Sequence, residues 1–367
     1  MKDENGMSDK RKKSHGRKKK RWLIPTVILV VFALLLGGAY AVFYNYYKLS
    51  NYAGKSGSIS DDPNAVVDST GLTSDQEAAL ASEITDSTDD IALPNDSNVY
   101  NLLLVGVDRR DTSWSGNSDS MILLSINKRT KTIHMVSFMR DLYANIEGHG
   151  VRKLNAACAY GGLPLLVKTI EDNYKVNIDN YAWVDFTDMV KIIDAIGGVT
   201  LDIKDDEVAL VNSYSKSMCD AAGVDYTQHQ ISGSGTIACD GYEAVAYARI
   251  RYVGKSDYQR TERQRTVLTK MMEKMKGMSA TELNSFVKEI LPYVTHDISQ
   301  TTLLGLITEV PSLLKYSVVK DRVPFDGHFT TQGEILVPDM TYTIQKLQDE
   351  LYGDGKSALS EETGSEG

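Results

Sequence analysis

The chain has 367 residues and a formal net charge of −9, with 40 Lys and Arg against 49 Asp and Glu. Residues 1–21 hold ten of the basic residues and three of the acidic ones, so the rest of the chain has 30 bases, 46 acids and a net charge of −16. This acidic balance argues against a nucleic-acid partner, and arginines that bind an anion must be concentrated locally.

The amino-terminal segment is typical of a membrane anchor. Residues 10–21 contain nine Lys or Arg, whereas residues 22–44 contain no charge. A helix over 22–44 exceeds the ~30 Å of a bilayer core, and the basic run predicts that residues 1–21 are cytoplasmic and the rest extracellular. A cleaved signal peptide is the alternative, although its apolar region would be shorter. We therefore expect a single-pass protein of the cell membrane, in contact with membrane lipid.

The region after the anchor divides by composition. Residues 45–98 are rich in Ser, Asp, Gly and Asn, which predicts a flexible extracellular stalk with one weak helical stretch near 72–84. The tail, residues 353–367, has a similar composition and is predicted to be disordered. Residues 99–352 are enough for one large domain.

Within that domain, short β-rich runs alternate with amphipathic stretches. The alternation predicts an α/β fold, a layered α-β-α domain with a central mixed sheet. The predicted strands are 99–107, 119–127, 131–138, 180–185, 199–203, 316–320 and 332–337. The predicted helices are 154–174, 186–196, 204–218, 240–248, 257–276, 279–291, 299–313 and 338–351.

Charged residues gather at the ends of three predicted strands. Asp108 follows the first strand, Asp119 begins the second and Arg140 follows the third. Ligands of α/β folds usually bind at such strand ends, and carboxylates beside arginine indicate a metal ion and an anionic group held together. Alone, either aspartate could equally cap a turn.

A second basic group lies at residues 240–268. Arg249 and Arg251 are two residues apart and point the same way if the chain is extended there. In the helix that follows, Arg260 and Gln264 fall on the same face as the apolar stripe, which suits a phosphate at the helix N-terminus. The same periodicity predicts that Arg265 faces water. Inward arginines more often pair with structural carboxylates, so none of them alone indicates function.

The three cysteines give no metal site. Cys158 occupies an apolar helix and is predicted to be a buried small residue. Cys219 and Cys239 could form a disulfide outside the membrane, or they could be two separate buried thiols. No Cys/His cluster has zinc spacing and no Gly-x-Ser-x-Gly elbow occurs.

Several segments resemble motifs of one known family and occur in the same order along the chain. They are NLLLVGVD (101–108), NSDSMILLSIN (117–127), SFMRDLYANIEGHGVRKLNAACAYGG (137–162), VDFTDMVKIIDAIGGV (184–199), CDGYEAVAYARIR (239–251) and DYQRTERQ (257–264). Together they cover most of residues 99–270 and resemble the LytR–CpsA–Psr proteins of bacterial cell envelopes.

The resemblance implies that residues 99–352 form a catalytic domain. It would transfer a glycopolymer from an undecaprenyl-pyrophosphate carrier to peptidoglycan, typically to the C6 hydroxyl of N-acetylmuramic acid. The polymer stays open between teichoic acid, capsule and another wall glycan. The prenyl chain would occupy a hydrophobic tunnel, with helices 154–174 and 186–196 as candidates for its lining.

The resemblance also implies site residues. Asp108 and Asp119 would hold Mg²⁺ or Mn²⁺, and one of them would activate the acceptor hydroxyl. The implied pyrophosphate ligands are Arg140, Arg249, Arg251, Arg260 and Gln264. The resemblance also places Arg140 among the catalytic residues.

One position departs from the family pattern. Asn117 stands where the family often has arginine, so either Arg109 or Arg110 substitutes for it or the site has one positive group fewer. Two other functions remain as alternatives. A non-catalytic polyprenyl-pyrophosphate-binding envelope protein would keep the arginines and the tunnel, whereas a transcriptional attenuator is disfavoured because no helix-turn-helix precedes the anchor.

Overall fold

The computed structural model describes residues 44–45, 47–54, 67–108, 116–251 and 257–353. The chain forms two compact units, residues 1–47 and 48–367, and of the first unit only residues 44, 45 and 47 are described. Across the described ranges, no helix combines the length and the apolar character that crossing a membrane needs. The predicted basic segment 1–21, the predicted span 22–44 except Tyr44 and the predicted tail after Gly353 lie outside the described residues.

The second unit alternates strands and helices. Its strands are β1 (Asn51–Tyr52), β2 (Val99–Asp108), β3 (Asn117–Asn127), β4 (Thr132–Phe138), β5 (Tyr143–Ile146), β6 (Gly150–Lys153), β7 (Asn180–Asp185), β8 (Val199–Ile203), β9 (Gly235–Cys239), β10 (Thr295–His296), β11 (Ser317–Val323), β12 (Phe329–Gln332) and β13 (Ile335–Pro338). Its helices are α1 (Ser74–Thr88), α2 (Ala156–Tyr174), α3 (Phe186–Ala195), α4 (Asp205–Ala222), α5 (Gly241–Arg249), α6 (Asp257–Lys276), α7 (Ala280–Ile290), α8 (Gln300–Leu313) and α9 (Met340–Tyr352).

A mixed sheet lies at the centre of this unit, as the sequence predicts. Seven strands follow the order β1-β10-β7-β2-β3-β4-β11. β3 is antiparallel to both of its neighbours, whereas β2 is parallel to β7 and β4 is parallel to β11. Three two-stranded pairs, β5–β6, β8–β9 and β12–β13, stand outside the central sheet.

Helices cover both faces of the central sheet. Trp183 of β7 packs against a hydrophobic cluster that includes α1, α2 and α9, and the next residue, Val184, packs against a second cluster that includes α3 to α7. Successive strand residues point to opposite faces, so the two clusters lie on opposite sides of the sheet. The described part of the second unit therefore has helices on both sides of a mixed sheet.

The prediction that residues 45–98 form a flexible stalk is wrong for residues 74–88, which form helix α1 of the folded unit. α1 begins with a capping box between Thr73 and Gln76, and Leu80 and Ile84 are buried in the first hydrophobic cluster. The weak helical stretch predicted near 72–84 corresponds to this helix, but its polar composition does not reveal that its one apolar face packs against the domain and is stabilised there.

Candidate anion-binding site and apolar cavity

Three strand ends meet at one end of the central sheet. Because β3 is antiparallel to β2 and β4, its beginning lies beside the ends of those two strands. Asp108 is the last residue of β2 and lies opposite Asn117, and Arg140 follows β4, which ends at Phe138. The structure thus brings Asp108, Asp119 and Arg140 to one end of the sheet.

A β-bulge determines where Asp119 lies. Between β2 and β3, Gly106 pairs with Ser120 and Val107 pairs with Ser118, so Asp119 has no partner residue on β2. The extra residue of a bulge bends its strand and re-aims the side chains around it. The Asp119 carboxylate consequently meets Arg140 instead of continuing the alternation of β3.

Arg140 lies at the centre of an ion-pair network. Its Nη1 donates to Asp119 Oδ1 at 2.7 Å, its Nη2 pairs with Asp68 Oδ2, and its Nε lies 3.4 Å from Asp141 Oδ1. The Arg140 side chain is only 14% exposed, so water screens these charge-assisted contacts weakly.

The beginning of α6 supplies the second half of the network. Asp257 Oδ1 lies 3.1 Å from Arg251 Nε and 3.3 Å from Arg260 Nε, and Arg260 Nη1 lies 3.8 Å from Asp119 Oδ2. Arg260 is buried, and its Nε has no hydrogen-bond acceptor among the described residues. A buried N–H group without an acceptor is a donor available to a ligand.

Two carboxyl groups of the network, those of Asp141 and Asp257, shift each other's pKa. Burial raises the pKa of Asp141, and its hydrogen bond with Asp257 raises that pKa further. Burial also tends to raise the pKa of Asp257, but Arg260, the bond with Asp141 and Arg251 together lower it to about 2. Asp141 therefore binds a proton more readily than Asp257 does, and the negative charge of the pair lies mainly on Asp257.

Four cationic side chains of the described residues converge on these carboxyl groups. We call Arg140, Lys153, Arg251 and Arg260 the cation group; they face Asp119, Asp141 and Asp257. Four cations face three carboxyl groups within this set, and the more exposed carboxylates of Asp68 and Glu334 contact Arg140 and Lys153 from outside it. Guanidinium and ammonium donors in excess suit a phosphate-bearing ligand.

Three members of this network were not predicted from the sequence. Asp141 lies next to Arg140 and Asp257 at the start of α6, and this adjacency to predicted site residues was the available signal. Lys153 ends β6, where its Nζ lies 3.5 Å from Asp141 Oδ1 and 3.2 Å from Glu334 Oε2. No local pattern singles out Lys153, because the β5–β6 hairpin brings it to the site.

An apolar cavity of about 300 Å³ lies near the cation group, since its lining includes Ser120, next to Asp119, and Gln264, one helical turn after Arg260. It lies between the central sheet and the helices of the second cluster, and most of its lining is aliphatic. Its walls include Leu104, Ile122, Ala182, Met189, Ile193, Val245, Ala248, Val267, Leu268, Met271, Ile290 and Val294. Helix α3, predicted as 186–196, lines the cavity, whereas α2, predicted as 154–174, packs in the cluster on the other face of the sheet.

Arg249 and Gln264 line this cavity. The Arg249 guanidinium carbon lies 4.1 Å from the ring centroid of Phe186 and 5.5 Å from that of Tyr214. Such stacking keeps a cation oriented against an apolar wall. Among the implied pyrophosphate ligands, Arg140, Arg251 and Arg260 therefore contact the carboxyl network, whereas Arg249 and Gln264 border the adjoining cavity.

Two predictions from the helical face of α6 have different outcomes. Arg260 is buried, as predicted, but Arg265 is buried as well, and its Nη1 donates to Ser137 Oγ of β4 at 2.7 Å. The prediction that Arg265 faces water is wrong. A single apolar stripe assumes one covered face, but α6 packs against α5 on one side and against β3 and β4 on another.

The disulfide considered between Cys219 and Cys239 is absent, and both cysteines are free and buried thiols. Cys219 lies in the last turn of α4, and Cys239 ends β9 within the second hydrophobic cluster. Burial raises the pKa of Cys239 to about 12, which favours the thiol over the thiolate needed for disulfide exchange. Cys158 is also buried and free, as expected for a small core residue.

Within the described ranges, no three His, Cys, Asp or Glu residues form a group that could hold a metal ion. Asp108 and Asp119 remain a pair of carboxylates at one end of the sheet. Arg109 and Arg110, the proposed replacements for the arginine missing at Asn117, lie outside the described residues.

The fold and the site define a class of α/β protein in which a polar, phosphate-compatible network adjoins an apolar cavity. The sequence profile of the LytR_cpsA_psr family matches residues 65–351. The chain therefore belongs to the LytR_cpsA_psr family, and the resemblance seen in its motifs is confirmed.

Curated relatives agree with this assignment. The chain is 31% identical over 277 residues to the polyisoprenyl-teichoic acid–peptidoglycan teichoic acid transferase TagT of Bacillus subtilis, an alignment that covers 74% of this chain and 76% of TagT. It is 32% identical over 234 residues to biofilm regulatory protein A of Streptococcus mutans, covering 60% of this chain. The chain spans about half the length of that second relative, 54%.

Solved structures share the fold. A structure described as TagT bound to LIIa-WTA has a TM-score of 0.55 and 26% identity, covering 73% of this chain and 95% of that one. A LytR-CPS2A-psr family protein, TagT with bound octaprenyl pyrophosphate lipid, has a TM-score of 0.51 and 25% identity, with the same two coverages.

Proposed function

We propose that this chain transfers a glycopolymer from a polyprenyl-pyrophosphate carrier to peptidoglycan, the reaction for which TagT is named. The observation that carries the proposal is the position of the apolar cavity beside the cation group. Ser120 in the cavity wall is next to Asp119, and Gln264 lies one helical turn after Arg260. A prenyl chain and a pyrophosphate are the two ends of one ligand that suits both sites.

The cation group is the proposed pyrophosphate-binding site. Arg140 pairs with the exposed carboxylate of Asp68, which a phosphate oxygen could replace, the Arg251 side chain is 32% exposed, and Arg260 has a buried N–H without an acceptor. The N-terminus of α6 adds the positive end of a helix dipole. Arg249 and Gln264 border the cavity, where we expect them to contact the phosphate nearest the prenyl chain.

Mg²⁺ or Mn²⁺ fits the carboxylates of Asp108 and Asp119. Mg²⁺ commonly takes one or two protein carboxylates and completes its coordination with substrate phosphates and water, so a third protein carboxylate is not required. Both aspartates lie at the same end of the β2–β3 pair. When bound, the ion would neutralise charge on the phosphates.

The proposed reaction is a displacement at phosphorus. The C6 hydroxyl of N-acetylmuramic acid attacks the phosphorus that carries the glycopolymer, the bond from that phosphorus to the bridging oxygen breaks, and prenyl phosphate leaves with the electron pair. Asp108 or Asp119 accepts the hydroxyl proton. The cation group stabilises the negative charge on the leaving phosphate.

We also propose the location expected from the sequence, a single-pass protein of the cell membrane with its folded domain outside the cell. The uncharged segment 22–44 and the basic residues 10–21 support it. A membrane-bound lipid carrier and an extracellular peptidoglycan acceptor would then both be accessible to the same chain.

A transfer assay tests the function. The full chain in detergent is mixed with a polyprenyl-pyrophosphate glycan and peptidoglycan, and the mass of the linked product is measured. We expect product from the wild type, none from Asp108→Ala or Asp119→Ala with the fold intact, and wild-type yield from Asp220→Ala, an exposed carboxylate on α4. Binding of prenyl pyrophosphate by the wild type without product would instead identify a non-catalytic lipid-pyrophosphate-binding protein.

A further inference from the structure

We propose that Asp141 and Asp257 act as a pair of positioning residues, which hold the cation group in the arrangement that the reacting pyrophosphate requires. The inference deepens the proposed function and rests on it. Neither residue was selected by the sequence analysis. Asp141 follows β4 beside Arg140, and Asp257 begins α6, which holds Arg260; Lys153 ends β6 and Arg251 follows α5.

The pair contacts every member of the cation group. Asp141 Oδ1 lies 3.4 Å from Arg140 Nε and 3.5 Å from Lys153 Nζ. Asp257 Oδ1 lies 3.1 Å from Arg251 Nε and 3.3 Å from Arg260 Nε. The two carboxyl groups also interact with each other, which raises the pKa of Asp141 and lowers that of Asp257, so the two halves are coupled.

Repulsion among the cations makes such a pair necessary. Four like charges in a partly buried site repel one another strongly, because the surroundings screen them less than water does. One ionised carboxylate between Arg251 and Arg260 offsets that repulsion. It accepts hydrogen bonds from Arg251 Nε and Nη2, and it lies 3.3 Å from Arg260 Nε, where it attracts that cation without a hydrogen bond. Burial and the neighbouring Asp257 carboxyl group raise the pKa of Asp141, which favours a protonated Asp141 that donates to the Asp257 carboxylate.

This arrangement assigns different roles to the two carboxyl groups. Asp257 must be charged because it attracts two arginines, whereas a protonated Asp141 needs only to donate a hydrogen bond to Asp257 and accept contacts from its own cations. An asparagine can replace a neutral aspartic acid in that role, because its amide both donates and accepts. It cannot replace the charge of Asp257.

The first test measures kcat and KM for transfer by the full chain in detergent. Asp257→Asn should lower kcat about tenfold or more with a smaller change in the KM for the lipid donor, because other cations still attract the phosphates. Asp141→Asn should stay within about threefold of wild type, whereas Asp141→Ala should resemble Asp257→Asn. Equal losses in Asp141→Asn and Asp141→Ala, or wild-type kcat in Asp257→Asn, would overturn the pairing.

The second test does not depend on catalysis. Phenylglyoxal modifies accessible arginines, and peptide mass spectrometry follows its reaction at Arg251, whose side chain is 32% exposed. We expect faster modification of Arg251 in Asp257→Asn and an unchanged rate in Asp141→Asn, with circular dichroism showing that both variants are folded. Modification at the wild-type rate in Asp257→Asn would disprove the positioning role even if the chain has no transferase activity. If Arg251 is modified faster in Asp257→Asn but the wild type shows no transfer, the positioning role of the pair stands and the proposed function is rejected.

Discussion

The guanidinium of Arg140 is held by three carboxylates, those of Asp68, Asp119 and Asp141. A planar group with fixed donors can exchange a carboxylate oxygen for a phosphate oxygen while its own position stays unchanged. The exposed Asp68 is the partner most easily displaced, whereas Asp119 and Asp141 are largely buried. The site is therefore organised around a donor that is in place before the ligand binds.

We predict that Arg140→Ala weakens binding of prenyl pyrophosphate by roughly 10- to 100-fold, since a hydrogen bond to a charged group contributes about 1.5–3 kcal/mol. Titration calorimetry with a short-chain prenyl pyrophosphate measures the change. Lys216→Ala, which removes an exposed cation on α4, is the matched control and should bind as the wild type does. Equal losses in the two variants would show that overall charge, rather than this site, determines affinity.

Asp141 also gives a prediction about pH. Its pKa is raised in the folded chain, chiefly by burial, so the folded state binds this proton more tightly than the unfolded state. The contribution of Asp141 to stability is therefore present at low pH and is lost as pH rises from the unfolded pKa of about 3.9 through the folded pKa.

Asp141→Asn removes that titration. Urea unfolding at pH values between 4 and 7 should show that the variant gains stability relative to wild type as pH rises. A relative loss with rising pH would contradict the raised pKa.

Single side chains were only partly predictable. Asp119 and Arg140 could be selected because strand ends are visible in the hydrophobic pattern, and Arg260 because it continues an apolar face. Arg265 was misjudged because a helix enclosed on several sides has no single buried stripe. Lys153 was missed because its position depends on a hairpin and on contacts with residues far along the chain.

At the scale of elements, α1 changes the boundary of the domain. Thr70 O accepts from Glu334 N at 2.8 Å just before the helix, and Leu80 and Ile84 pack in the first cluster. A Cβ on Gly333 would come within 2.5 Å of Thr70 O, and the positive φ of Gly333 also disfavours a side chain there. The segment before α1 and the β12–β13 turn are thus closely fitted to each other.

We predict that Leu80→Ala lowers the free energy of unfolding by about 2–5 kcal/mol, because it leaves a cavity in the core. Chemical unfolding of the full chain measures the loss. Ser82→Ala, at an exposed position of the same helix, should change stability by less than about 0.5 kcal/mol. If Leu80→Ala were as stable as Ser82→Ala, α1 would belong to a stalk rather than to the domain.

For the whole molecule, the central sheet separates two hydrophobic clusters with different properties. The first cluster packs α1, α2 and α9 around large buried side chains such as Tyr143 and Tyr174, whereas the second adjoins the cavity of about 300 Å³. Alternating strands and helices were enough to predict a mixed sheet with helices around it. Strand order and the location of the cavity depend on contacts between distant segments, which periodicity does not encode.

We predict that Ala248→Phe, which places a larger side chain in the cavity wall, weakens binding of a long-chain prenyl pyrophosphate at least tenfold. Binding of inorganic pyrophosphate should stay unchanged, because the cation group is intact. Ala209→Phe, at an exposed position of α4, is the control for the added ring. A similar loss for both ligands would mean that the substitution disturbs the cation group instead of the cavity.

The bulge in β3 makes this site depend on a count of residues. Asp119 has no partner residue on β2 because β3 has one residue more than β2 between the Gly106–Ser120 and Val107–Ser118 pairs. Deleting a single residue there would restore a regular ladder, and with it a strand of ordinary alternation in which β3 no longer aims a carboxylate at Arg140. The site therefore depends on the number of residues in this part of β3 as well as on the aspartate itself. A substitution that keeps this number preserves the bulge, whereas a deletion removes it.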